Sequence, residues 1–292
     1  MKRISKIGLG LALILGLSSC GANNNETKQP AENNAKTEEA TSTDPLEGKD
    51  VIKVGVCGEH NEVWDDIIER YNAGNDRKLE LVKFSEYREP NEALIAGDID
   101  LNAFQHKKFL KEFNEESGSD VVSIGDTMIA PLGIYSSKII DIKDLKDGAR
   151  VAIPDDPSNS ARSLFLLQTA GLIKVNGENG DNITTDDITE NPQNLEIITL
   201  GSSQTARSLD DVDIACVNSG IAVDADLIPS EDALFLEDPK DPDKQIYVNV
   251  IATTQANKDS AILKDLVDNY YHTDQTKKIV DESSKGSEFP AW

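Results

Sequence analysis

The chain is expected to fold as two α/β lobes around a cleft, set behind an N-terminal leader and a tether. Three observations lead there. Strand and helix patterns alternate in two rounds from Val51 onward, a basic and then apolar start closes with Leu17-Ser18-Ser19-Cys20, and a polar stretch lies between. Strands separated by helices call for parallel sheets with helices on both faces. Ligands of such sheets sit at the carboxyl ends of strands, so the cleft between lobes is the expected site.

At the N-terminus, Lys2, Arg3 and Lys6 precede an uninterrupted apolar and glycine run, Ile7 to Leu17. That run is too short to span a bilayer and reads as the core of a signal peptide, residues 1–19. Leu17-Ser18-Ser19-Cys20 resembles the bacterial lipobox, which implies cleavage before Cys20 and diacylation of its thiol. Two acyl chains anchor stably where one is marginal, which implies a protein held on the extracytoplasmic face of the cell membrane. From Gly21 to Asp50 the only large apolar residue is Leu46, too little to offset ordering entropy. Residues 20–50 are therefore expected to be a flexible tether, spanning about 30 Å root-mean-square. Residues 51–292 are expected to form the folded domain, with lobe 1 at about 51–131 and 250–292 and lobe 2 at about 132–249.

Ile52, Val54 and Val56 alternate as in a strand, and Val63, Ile67 and Tyr71 then recur at helical spacing until Gly74. Leu79–Phe84 follows as a strand, Pro90–Gly97 as a helix opened by its proline, and Ile99–Phe104 as a strand. Phe109, Leu110 and Phe113 mark a helix stopping near Gly118. Val121–Ile124 and Met128–Tyr135 read as two strands, with a short helical signal at Ile142–Leu145. The second round starts with a strand at Arg150–Ile153 and a helix from Ser160 to about Ala170, capped by Gly171. Leu195–Leu200 and Ile214–Val217 are strands flanking a short helix at Gln204–Leu209. Asn218–Asp226 suits a helix, Tyr247–Thr254 a long strand, and Ser260–Tyr271 and Thr273–Ser284 two closing helices.

The formal charge is −24, and loss of residues 1–19 removes three positive charges and no acids, giving −27. Such a surface disfavours nucleic acid and anionic headgroups. Cys57 and Cys216 each lie in an apolar run, as small buried hydrophobes do, and their pairing is left open. His60, His106 and His272 are too scattered for a zinc site. Gly8 and Gly10 belong to the leader, so no dinucleotide fingerprint survives, and no G-x-S-x-G elbow exists. Asp155-Asp156, Asp186-Asp187 and Asp210-Asp211 read as helix-starting and turn acids. The expectation is a protein with no cofactor, no metal and no catalysis.

Three constellations carry recognition chemistry. Asn102-Ala103-Phe104-Gln105-His106 ends a strand, with Phe109 a helical turn on, and can line an apolar pocket with one polar contact. By position alone Phe109 suits the core better than the pocket. Ile153 to Arg162 leads a strand into a helix whose free N–H groups favour an anion, with Arg162 expected in the first turn. Asn218 and Asn249 are amides in apolar strand contexts, either satisfied in the core or able to read an ammonium and a carboxylate.

These segments, with Pro131–Ser136, Glu190-Asn191-Pro192, Arg207–Asp213 and Pro290-Ala291-Trp292, resemble the methionine-binding lipoprotein family of ABC importers, the NlpA/MetQ type. The resemblance runs from about Ile52 to Trp292. It implies a two-lobed periplasmic-binding-protein fold that hands L-methionine to ABC permease and ATPase subunits. Alternatives are D-methionine, a methionine-containing dipeptide, another small amino acid, or a surface adhesin-type lipoprotein. Carried over by position, Tyr87, Phe104, His106 and Phe109 would surround the thioether. Arg162 would bind the carboxylate, and Asn159, Asn218 and Asn249 would complete the polar shell. The chain departs from the family pattern at Asp155, Ala161 and Ser219-Gly220-Ile221.

Overall fold

The computed structural model describes residues 43–292. The leader, Cys20 and the tether as far as residue 42 lie outside them. Among the described residues, no helix is long and apolar enough to cross a membrane.

The first lobe is built from β1 (Val51–Cys57), α1 (Glu62–Gly74), β2 (Lys78–Phe84), α2 (Glu89–Ala96), β3 (Leu101–His106), α3 (Lys107–Ser117) and β4 (Val122–Ile129). The second holds β5 (Gly133–Tyr135), β6 (Arg150–Pro154), α4 (Pro157–Thr169), β7 (Lys174–Val175), β8 (Ile188–Glu190), β9 (Glu196–Leu200), α5 (Ser202–Thr205), β10 (Ile214–Val217), α6 (Ser219–Asp224), α7 (Pro229–Asp232) and β11 (Phe235–Leu236). The chain then returns to the first lobe through β12 (Val248–Thr253), α8 (Ala261–Asp265), a π-helical turn at Leu266–Tyr271, α9 (Asp274–Ser283) and β13 (Phe289–Pro290).

The sheet orders are β13-β4-β12-β3-β1-β2 and β11-β5-β10-β6-β9. Both are mixed, which corrects the expectation of parallel sheets. β1 pairs in parallel with β2 and β3, and β6 with β9 and β10. The remaining pairs are antiparallel: β12 with β3 and β4 and β13 with β4 in one sheet, and β5 with β10 and β11 in the other. A chain that leaves a sheet for the other lobe and comes back re-enters against the grain, and no βα crossover forces it parallel.

Each sheet has its own apolar core. Ile52, Val54, Ile67, Tyr71, Leu101 and Ile251 pack together in the first lobe, and Leu132, Val151, Ile153, Leu164, Leu167 and Ile214 in the second. The helical stripes and strand alternation expected from sequence therefore do what their periods imply.

Three local readings are corrected. The two strands expected at Val121–Ile124 and Met128–Tyr135 are instead one continuous β4 and a short β5 in the other sheet. Polar Gly125-Asp126-Thr127 looks like a break, but β4 follows β12 with register shifts, and Gly125 is needed there because a Cβ would lie 2.8 Å from Val267 Cγ1. α4 begins at Pro157, so Arg162 sits beyond its first turn. The domain also begins before Val51. Leu46 is 2% exposed within the first lobe's core, and the Asp44 carboxylate accepts from Leu46 N, Ser260 Oγ and Ile262 N, capping α8. One apolar side chain and one capping acid suffice to strap the segment down, and composition averaged over thirty residues conceals both.

Candidate functional site

A cavity of about 100 Å³ lies where the lobes meet, and all eight expected residues line it: Tyr87, Phe104, His106, Phe109, Asn159, Arg162, Asn218 and Asn249. Phe104 and His106 come from the carboxyl end of β3, Phe109 from the first turn of α3, and Tyr87 from the turn after β2. Asn159 and Arg162 project from α4, Asn218 follows β10, and Asn249 lies on β12, paired with His106. The carboxyl ends of strands from both sheets thus frame one space.

One wall is aromatic. Tyr87 stacks on Phe104 with centroids 6.0 Å apart, and Phe109 meets both edge-on at 6.2 and 5.9 Å. These offset and edge-to-face contacts present an apolar surface, with the Tyr87 hydroxyl as its one polar group. Phe109 also packs against the core cluster of Leu94, Leu110 and Phe113, so it serves both core and cavity.

Arg162 is 2% exposed and is held on three sides. Its Nε donates to Glu237 at 3.1 and 3.0 Å, its Nη2 to Ala130 O at 2.9 Å, and its plane lies 4.2 Å from the Tyr247 ring centroid. Among the described residues Nη1 has no partner, which leaves one guanidinium edge for an anion. Glu237 also accepts from Leu132 N at 2.9 Å and faces Lys244 at 3.3 Å. Burial, the largest single influence, would raise its carboxyl, but the charge and hydrogen bonds of Arg162, with Lys244 and Leu132 N, together hold it below the usual range.

The helix N-terminus is not free for a ligand, contrary to the reading of Ile153–Arg162. Asp156 occupies it, accepting from Asn159 N at 2.9 Å, Ser158 Oγ at 3.0 Å and Ser202 Oγ at 3.2 Å. Its own N-cap carboxylate satisfies the donors that an external anion would otherwise use.

Asp156 also orients an amide relay. Asn159 Nδ2 donates to it, and Asn159 Oδ1 then accepts from Asn218 Nδ2 at 2.9 Å and faces His106 Nε2 at 3.3 Å. The His106 Nδ1 accepts from Phe109 N at 3.0 Å, which caps α3 and puts the ring proton on Nε2. Burial first, and then the charge of Arg162, lower His106 to about 3, so it is a neutral brace across the cleft. Asn218 Oδ1 is buried without a partner among the described residues.

The cavity also includes Cys57, Asp224 and Glu288. Cys57 ends β1, a strand-end signal of the kind that singled out Phe104. Asp224 and Glu288 follow no sequence pattern. Cys57 and Cys216 are both free thiols, in different lobes. Asp224 joins the lobes by accepting from Glu59 N at 3.1 Å and His60 N at 3.2 Å. Gly58 makes this approach workable at φ +86°, since a Cβ there would run into the Asp224 carboxylate.

Two mixed sheets, two crossovers and a cavity between them define a two-lobed periplasmic-binding-protein fold. Residues 52–292 match the model of the NlpA lipoprotein family, and the chain belongs to that family. It is 43% identical over 216 residues to the D-methionine-binding lipoprotein MetQ of Salmonella typhimurium, covering 73% of this chain and 78% of that one. Two solved structures share the fold. A nutrient binding protein from Burkholderia cenocepacia bound to methionine has 39% identity and TM-score 0.76, covering 82% of this chain and all of that one. The substrate binding protein of a methionine transporter from Streptococcus pneumoniae has 37% identity and TM-score 0.77, covering 83% and 96%.

Proposed function

We propose that this chain is a lipid-anchored substrate-binding protein of an ABC importer that captures L-methionine and delivers it to a membrane permease, without catalysis. The observation that carries this reading is the pairing, in one cavity, of an apolar aromatic wall with the unpartnered edge of a buried arginine. A thioether side chain suits Tyr87, Phe104 and Phe109, and an α-carboxylate suits Arg162. At roughly 10–15 Å³ for each water-sized occupant, a cavity of about 100 Å³ takes a ligand of roughly seven to ten heavy atoms. That is the size of a single amino acid and small for a dipeptide. A ligand touching both lobes stabilises the arrangement in which they meet, and a permease can read that state. Anchoring at Cys20 would keep the domain near that permease.

Native mass spectrometry of the purified protein, followed by identification of any molecule released on unfolding, tests the reading. Methionine is the expected mass. The name of the Salmonella relative favours the D-enantiomer as a second reading. Calorimetry with each enantiomer separates the two, and no heat with either overturns the proposal.

A further inference from the structure

The cavity's charges do not balance. Arg162 is matched by Glu237 behind it, yet Asp224 and Glu288 also line the space and neither forms an ion pair among the described residues. The two acids differ in what they have left to offer. Both Asp224 oxygens are engaged by the Glu59 and His60 backbone. Glu288 uses one oxygen, Oε1, which accepts from Ser219 Oγ at 2.9 Å, while Oε2 has no partner among the described residues. Burial raises the Glu288 carboxyl, and the nearby Glu62 charge adds to this, as happens to an acid held without its counter-cation. Ser219 adjoins Asn218, whose buried Oδ1 is a second acceptor without a donor. Two residues of opposite lobes, each with an idle acceptor, therefore line one cavity and are linked through Ser219.

Resting on the methionine reading, we propose that Glu288 is the specificity residue for the ligand's α-ammonium, which it receives together with Asn218 Oδ1. Arg162 and Glu288 then act as separate readers of the two ends of a zwitterion. Because Glu288 belongs to the first lobe and Asn218 to the second, a primary ammonium between them links the lobes. A ligand lacking that group leaves both acceptors unpaired, and the site discriminates against it.

Glu288→Gln keeps the shape and the bond from Ser219 but removes the charge. Titration calorimetry of wild type and variant with L-methionine and with 4-(methylthio)butanoate, the same molecule without its amino group, separates the roles. Methionine is expected to bind the variant about 10- to 100-fold more weakly, the loss of one charge-assisted hydrogen bond. The desamino acid is expected to bind both proteins within about threefold, that is, within about 0.7 kcal/mol. Tight wild-type methionine binding with no loss in Glu288→Gln, or an equal loss for both probes, overturns this inference alone. A wild-type protein that binds neither probe overturns the methionine reading, and this inference with it.

Discussion

Arg162 and Glu237 form a buried ion pair that ties α4 to both chain crossings between the lobes. Arg162 Nη2 reaches Ala130 O on the first crossing, and Glu237, on the second, accepts from Leu132 N. The residue expected to hold the ligand is therefore also a structural pin at the hinge.

Removing Arg162 leaves the buried Glu237 carboxylate with only the Lys244 ammonium, at 3.3 Å, to offset its charge. Arg162→Ala is expected to lose on the order of 3–5 kcal/mol of folding stability, measured by urea unfolding at pH 7. Arg162→Met combined with Glu237→Gln should recover most of that stability without restoring methionine affinity. A double variant as unstable as Arg162→Ala would argue against the stranded charge as the cause.

His106 is neutral in the folded protein down to about pH 3, whereas its ordinary value is 6.5. Between those values the unfolded chain binds the extra proton, so stability falls as pH falls, by about 1.4 kcal/mol per pH unit. His106→Asn keeps an acceptor for Phe109 N and removes the titration. Unfolding free energies from pH 7 to 4.5 should show a shallower slope for the variant. Parallel slopes would remove His106 as the source.

Gly58→Ala places a methyl against Asp224 and strains a left-handed residue, at a cost of about 1–3 kcal/mol borne where the lobes meet. The expected result is methionine affinity weaker by roughly 5- to 150-fold. The radius of gyration in X-ray scattering should also stay larger under saturating methionine. Adding Asp224→Ala should relieve the collision and reverse part of the expansion. Scattering curves identical to wild type would count against a latch at this point.

Leu46→Ala is expected to destabilise the domain by about 2–5 kcal/mol, as for other fully buried leucines. Cys20→Ala, by contrast, should release the protein from the membrane fraction in detergent partition and leave stability and affinity unchanged. Membrane retention of Cys20→Ala would sink the lipid-anchor reading, and a silent Leu46→Ala would mean the strap contributes nothing.

Periodicity made most of the elements legible. The alternation of Ile52, Val54 and Val56 and the helical spacing of Val63, Ile67 and Tyr71 follow from geometry that each segment carries by itself. Strand-end position and family resemblance together named eight residues that the fold brings to one cavity. Other features arise only when distant segments meet. Glu237 and Glu288 look like ordinary surface acids in sequence, because burial beside Arg162 or Ser219 depends on a chain that crosses between lobes and returns. The unbroken β4 and the mixed sheets were hidden for the same reason, since register against β12 is a property of the pair. Leu46 and Asp44 vanished into a polar average, yet a single buried side chain and one helix cap decide where order begins. Local sequence determined which elements form, and long-range packing decided which charges are buried and therefore which can read a ligand.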